Sequence, residues 1–275
     1  MTASSSTAAP AAGTPDPAST PAGVPVAAAS DVAGVPVSEV LAMGSATLYE
    51  ASGLGCDLDP AFRPAWAGAR LVGRALPVQA AAGDNLPLHW ALEEARPGDV
   101  LVVDAGGSPF GYWGEVLAVA ALRRGVAGLV IDGGVRDTDR MRALEFPAFS
   151  THVAIRGTGK RWPGTIGSPV VLRGRVVHRG DLVVADEDGI VVLPAASVSR
   201  VLEAARQRVA KEEAFMRRLR EGELTLDLYG FRELGRPVVA EPDAPTTGDR
   251  PGDAPVTAGR PGNVPATGER TGEAP

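Results

Sequence analysis

Hydrophobic and polar positions alternate in blocks along residues 37–221, and each block predicts an element. VSEVLAMGSATLYEAS (37–52) has the spacing of an amphipathic helix, with Gly53 and Gly55 as its stops. ARLVGRALPVQ (69–79) is strand-like, and Pro77 within it argues for a strand end or a sheet edge. Asp84 is placed to cap a helix over Asn85–Arg96 that ends at Pro97-Gly98. Residues 99–137 then give an apolar run (Val100 to Val103) closed by Asp104, and a glycine-rich loop through Gly106, Gly107, Gly111 and Gly114. They continue with a buried helix from Glu115 to Gly125 and a second apolar run (Leu129 to Ile131) that breaks at Gly133-Gly134. Strand, loop, helix, strand is a βαβ unit, so the two strands are expected to be parallel neighbours with a right-handed crossover.

Downstream, TDRMRALE predicts a short helix and 148–150 a short strand. Residues 151–168 are a basic, glycine-rich loop, and 169–177 and 181–194 are β segments with turns at His178–Gly180 and Glu187–Gly189. A long helix, Ala195–Glu221, closes the pattern. Helices come early and β segments late. The expected fold class is therefore α/β, a layered sandwich of β-sheet with flanking helices rather than a regular doubly wound sheet.

The two ends lack this patterning. Residues 1–36 are almost wholly Ala, Pro, Ser, Thr, Gly and Val, and 237–275 carry a loose ten-residue repeat: APTTGDRPGD, APVTAGRPGN, VPATGERTGE. Both read as disordered tails around one domain at 37–236. No run approaches the roughly 18 apolar residues of a membrane span. The first basic side chain is Arg63, so no positively charged leader region exists. Cys56 is the single cysteine, which excludes an intrachain disulfide, and a cytoplasmic protein is the expectation. Net charge is −6 with arginines scattered, so neither a nucleic-acid stripe nor a membrane surface is indicated.

The candidate chemistry sits where the βαβ strands end, because ligands of such sheets gather beyond the carboxyl edge. Gly114 to Leu117 leads into a helix N-terminus whose unpaired N–H groups favour an anion. Glu115 is either a functional carboxylate or a first-turn group favouring the helix dipole. Arg136 suits a carboxylate bidentately, and Asp137 suits a hard cation. The alternatives are a salt bridge and a cap on TDRMRALE. His89, His152 and His178 are isolated and Cys56 has no partner motif, which disfavours zinc. The three histidines read as structural groups. No G-x-G-x-x-G, G-x-x-x-x-G-K-[ST] or G-x-S-x-G is present, against methyltransferase, nucleotide and serine-hydrolase readings.

GARLVGRALPV, PGDVLVVDAGG, WGEVLAVAALRRGVAGLVIDGGVRD and RGDLVVADEDGIVVLP together resemble the 4-hydroxy-4-methyl-2-oxoglutarate aldolases. These also take 4-carboxy-4-hydroxy-2-oxoadipate, and their fold family includes the regulator of ribonuclease E activity. The resemblance covers about residues 40–220. Its most specific element is an acidic residue, twenty intervening residues, then Arg-Asp: here Glu115 and Arg136-Asp137. It implies a swivelling-domain-like fold and a class II, divalent-metal aldolase that releases pyruvate, with oxaloacetate decarboxylation as a side activity. It also implies Asp137 as the ligand of Mg²⁺ or Mn²⁺, Glu115 holding the metal through water, Arg136 on the 2-oxo acid, and the backbone of Gly114, Glu115, Val116 and Leu117 receiving a carboxylate. Glu212, with Glu213 as the near alternative, would complete a neighbouring subunit's site in a homotrimer or homohexamer. No Schiff-base lysine is implied: Lys160 and Lys211 are the only lysines, and Lys160 reads as a solvated loop residue, with an approach to a substrate carboxylate as the alternative. The other class that the resemblance admits is a non-catalytic, ring-shaped regulator of a ribonuclease-like partner.

Overall fold

The computed structural model describes residues 31–238. The chain enters through a small ribbon, β1 (Asp31–Val32) and β2 (Val35–Pro36), then α1 (Val37–Met43), α2 (Ser45–Ser52) and the short β3 (Arg63–Pro64). The centre is β4 (Leu71–Gln79), α3 (Leu86–Glu94), β5 (Asp99–Trp113), α4 (Glu115–Arg123), β6 (Gly128–Val135), α5 (Thr138–Ala143) and β7 (Ala148–Val153). There follow β8 (Thr165–Ile166), the hairpin β9 (Val170–Leu172) and β10 (Arg175–Val177), then β11 (Leu182–Ala185), β12 (Ile190–Leu193) and the long α6 (Val198–Arg220).

Eight strands form one mixed sheet in the order β12-β11-β4-β5-β6-β7-β3, with β8 added against β4. The four central strands are parallel. Three successive crossovers, through α3, α4 and α5, join them, and the middle one is the βαβ unit expected at 99–137. Helices α3 and α4 bury Leu88, Ala91, Leu117 and Ala121 in a core with Leu101, Val103, Leu129 and Ile131. A second core joins Val100, Val102 and Val130 to Leu58, Phe62, Val170 and Leu172. A third packs α1, α2 and α6 on β11 and β12 through Val40, Leu48, Val184, Leu193, Val201 and Leu202. Strands buried on both faces read as unbroken apolar runs, which is why 100–103 and 129–131 stand out in the sequence. The layered α/β class expected from the sequence is the one observed. Among the described residues no helix is long and apolar enough to cross a membrane.

Several expectations need correction. The helix expected over 37–52 is two, broken at Gly44 (φ 80°), where the Asp186 carboxylate receives Ser45 N at 2.7 Å and Ser45 Oγ at 2.6 Å. Strand β4 is central, not an edge. Its Pro77 lies between the stretch paired with β11 (Leu71–Arg74) and the two residues paired with β8 (Val78, Gln79), so its missing N–H interrupts no ladder. The glycine-rich stretch 104–113 is not a loop but a continuation of β5, bulged so that Asp104, Ser108, Gly111 and Trp113 pair successively with Asp132 to Val135. Gly106 and Gly107, both at φ near +65°, allow that bulge. Strand β7 runs past 150 to Val153, and the last helix begins at Val198 after a 3₁₀ turn at Ala195–Ser197.

Residues 31–36, read as tail, include the β1–β2 ribbon with Val35 buried; the rest of the amino-terminal tail (1–30) and the repeats from 239 onward lie outside the described residues. The sheet-bearing unit closes at Glu223. A second unit starts at Leu224, with α7 (Thr225–Leu228), a 3₁₀ turn at Phe231–Leu234, an Asp227–Arg232 ion pair, and the Tyr229 and Phe231 rings stacked 5.2 Å apart.

Candidate functional site

Beyond the carboxyl ends of the parallel strands lies a cavity of about 300 Å³. Its floor is the start of α4, where Gly114, Val116 and Leu117 line it, and its side is the end of β6, where Arg136 and Asp137 line it. These segments meet because β5 and β6 pair as far as Trp113 and Val135, and Arg136 N then donates to Trp113 O at 2.8 Å. Asp137 occupies the N-cap position of α5 in a left-handed conformation (φ 56°, ψ 38°) that non-glycine residues seldom adopt. Its carboxylate makes no cap hydrogen bond to α5. Instead Oδ2 accepts the N–H of Glu115 at 3.1 Å and lies 3.7 Å from Arg136 Nε. The cap alternative for Asp137 is thereby excluded. A strained residue aims its carboxylate at a helix N-terminus.

Gly114 makes this closeness possible. A Cβ there would stand 2.3 Å from Asp137 Oδ2 and 3.1 Å from Arg136 Cγ. Both contacts to Asp137 fall on Oδ2, so Oδ1 has no protein partner among the described residues. The first N–H groups of α4 have no intrahelical acceptors, and the one on Glu115 already holds a carboxylate.

Of the residues expected at the site, Gly114, Val116, Leu117, Arg136 and Asp137 come together. Glu115 joins through its backbone, while its side chain is exposed and does not line the cavity. Glu212 does not line it either. It sits on α6 with Oε1 2.8 Å from Arg208 Nε, and Arg208 also pairs with Glu50. Glu213 is exposed on the same helix.

Asn85, His89, Tyr112, Thr158 and Lys160 also line the cavity; Lys160 is an exposed residue of an irregular segment, as expected, and its place on the wall matches the alternative of an approach to a substrate carboxylate. The other four were not singled out as site residues. Asn85 is buried. Its Nδ2 donates to Tyr112 O at 2.9 Å, and its Oδ1 is a buried acceptor with no partner among the described residues. Partial burial, and then the charge of Lys160, hold His89 below its usual pKa. The signal for Asn85 was present in the sequence, as the polar pair Asp84-Asn85 after Gly83, but it was absorbed by the helix-cap reading.

No group of three or more His, Cys, Asp or Glu clusters here among the described residues. Magnesium and manganese need few protein ligands, and Asp137 Oδ1 at the open mouth of a polar cavity fits a single carboxylate ligand with water completing the shell. The arrangement combines a carboxylate with an unpaired oxygen, two basic side chains and a helix N-terminus, a set of groups suited to an anion.

The RraA-like family signature (Aldolase/RraA) matches residues 45–192. A Halalkalibacterium halodurans protein, provisionally named a 4-hydroxy-4-methyl-2-oxoglutarate aldolase, is 35% identical over 174 residues, 63% of this chain and 83% of that protein. Among solved structures, a Streptomyces coelicolor protein, an unusual member of the RNase ES inhibitor RraA protein family, aligns with a TM-score of 0.58. It is 33% identical and covers 66% of this chain and 94% of its own. The RNA-processing inhibitor RraA from Thermus thermophilis aligns with a TM-score of 0.51, 32% identity, and coverage of 55% and 92%.

Proposed function

The chain belongs to the RraA-like family, and from that premise we propose that it is a divalent-metal-dependent aldolase. It would cleave a 4-hydroxy-4-methyl- or 4-carboxy-4-hydroxy-2-oxo diacid to pyruvate and a second 2-oxo acid, and decarboxylate oxaloacetate as a side reaction. The observation that carries the reading is the Asp137 carboxylate, 3.1 Å from the Glu115 N–H and beside Arg136 in one cavity.

Asp137 is the residue assigned to hold Mg²⁺ or Mn²⁺, with Glu115 retaining its water. When bound, the ion supplies Lewis-acid stabilisation of a 2-oxo oxygen. The protein's own groups do the rest. The free N–H groups at the start of α4 receive the carboxylate at the 2-oxo end. Arg136 offsets the negative charge that grows on the 2-oxo oxygen as the C3–C4 bond breaks. Lys160 offers a second cation, suited to the distal carboxylate that separates a diacid from a mono-acid. Glu212 is assigned to a neighbouring copy's site in a homotrimer or homohexamer.

The test measures pyruvate release from oxaloacetate and from 4-hydroxy-4-methyl-2-oxoglutarate with Mg²⁺, then with chelator, then with Mg²⁺ or Mn²⁺ restored. Asp137→Ala is expected to lose at least about 10³-fold of the activity. One solved neighbour is named an RNA-processing inhibitor and another an unusual member of an RNase-inhibitor family, which supports a second reading: a non-catalytic regulator of a ribonuclease-like partner. Absence of metal-dependent turnover on every 2-oxo acid tried, with a stoichiometric complex with a ribonuclease, would replace the first reading with the second.

A further inference from the structure

One wall of the cavity is the irregular segment 157–162, which supplies Gly157, Thr158 and Lys160. We infer that Asp84 is a positioning residue for this wall, its buried carboxylate latching the segment in the place where Thr158 and Lys160 meet a substrate. The inference rests on the cavity being the site of the proposed reaction.

Asp84 is 8% exposed and forms no ion pair among the described residues. Its charge is satisfied by backbone donors. Oδ2 accepts Arg161 N at 2.5 Å and Trp162 N at 3.2 Å, and Oδ1 accepts Leu86 N at 3.0 Å. The same stretch is stitched on by Gly159 N to Gly83 O (2.7 Å) and Asn85 N to Gly159 O (3.1 Å). Detaching the segment would leave a buried carboxylate with one donor in place of three, an expensive state that disfavours opening. Burial pushes the Asp84 carboxyl up. The Leu86, Arg161 and Trp162 N–H groups and the Lys160 charge overcome it and hold the group below its ordinary value, so the latch is charged at neutral pH.

Asp84 also adjoins Asn85, a buried residue that lines the cavity. One dipeptide thus contributes a lining residue and anchors the segment that supplies Thr158 and Lys160. Asp84 itself does not line the cavity, so its effect on substrate must pass through the segment it holds.

The segment contains two trypsin sites, after Lys160 and after Arg161. The experiment follows native-state trypsin cleavage at those two bonds by mass spectrometry in the full-length protein, its Asp84→Ala variant and its Asp84→Asn variant. It also measures KM and kcat for pyruvate release, alone and combined with Lys160→Ala. Asp84→Ala is expected to speed cleavage at these bonds about tenfold, with the circular dichroism spectrum and other cleavage rates unchanged. KM is expected to rise about tenfold with a smaller change in kcat, and Asp84→Asn, which keeps one acceptor oxygen, falls between. In the Lys160→Ala background the added effect of Asp84→Ala on KM is expected to shrink to less than about twofold. Unchanged cleavage at 160 and 161, or KM effects that simply multiply, would overturn the inference. Should Asp84→Ala fail to fold, Asp84→Asn decides by the same readouts. Cleavage needs no turnover, so an inactive wild-type enzyme would sink the aldolase reading while leaving the latch to be judged on cleavage alone.

Discussion

A single methyl group at position 114 is expected to disable the site while sparing the fold. The backbone of Gly114 is extended (φ −161°, ψ −164°), so alanine meets no conformational penalty there. Its Cβ would nevertheless stand 2.3 Å from Asp137 Oδ2 and 3.1 Å from Arg136 Cγ. To restore an ordinary contact the Asp137 carboxylate must retreat by about 1 Å. A misplacement of that size in a reacting constellation costs about 10²-fold in rate, or roughly 2.7 kcal/mol of transition-state stabilisation. The stability cost is smaller. The Asp137 and Arg136 side chains are 40% and 47% exposed, so the displaced contacts are worth about 1 kcal/mol or less. A fall in Tm of about 2–4 °C follows for a domain of this size. The assay is pyruvate release in a coupled spectrophotometric format, paired with thermal unfolding of the same preparation. Gly189→Ala is the control, since its added methyl also meets nothing within 4 Å and the residue does not line the cavity. A Gly114→Ala enzyme with kcat/KM within about twofold of wild type would refute the assignment of Asp137 to the reaction.

Two further predictions concern the walls. Tyr112→Phe removes the hydroxyl that accepts Gly83 N at 2.6 Å and pairs with Ser108, and urea denaturation should show a loss of about 1–3 kcal/mol; no loss would mean water replaces it without cost. Burial and then Lys160 lower the His89 pKa in the folded state, so the unfolded chain binds more protons just below pH 6.5. That contribution to stability is complete above about 6.5 and declines as pH falls toward the lowered value. Melting curves from about pH 7.5 to 5 should therefore flatten in His89→Gln, and an unchanged slope would remove His89 from this linkage.

Much of this molecule is written locally. The apolar runs at 100–103 and 129–131 are legible as buried parallel strands because both faces are covered, and α4 is legible because Leu117, Ala118 and Ala121 share a face. The meeting of the α4 N-terminus with Arg136-Asp137 was likewise readable, since a βαβ crossover returns the chain to the same edge, although Glu115 joins only through its backbone. Other features depend on partners far away in sequence. Gly44 breaks a helix because Asp186, 141 residues on from Ser45, supplies the missing cap. Pro77 is tolerated mid-sheet because β11 and β8 happen to leave a gap beside it. The glycines at 106 and 107 look like a loop until β6 pairs with the bulged strand around them. Asn85, His89 and Lys160 become cavity walls only when the segment after β7 folds back onto Asp84. Periodicity reports which face of an element is buried. Which side chains converge from separate elements is decided by packing, and no local pattern contains it.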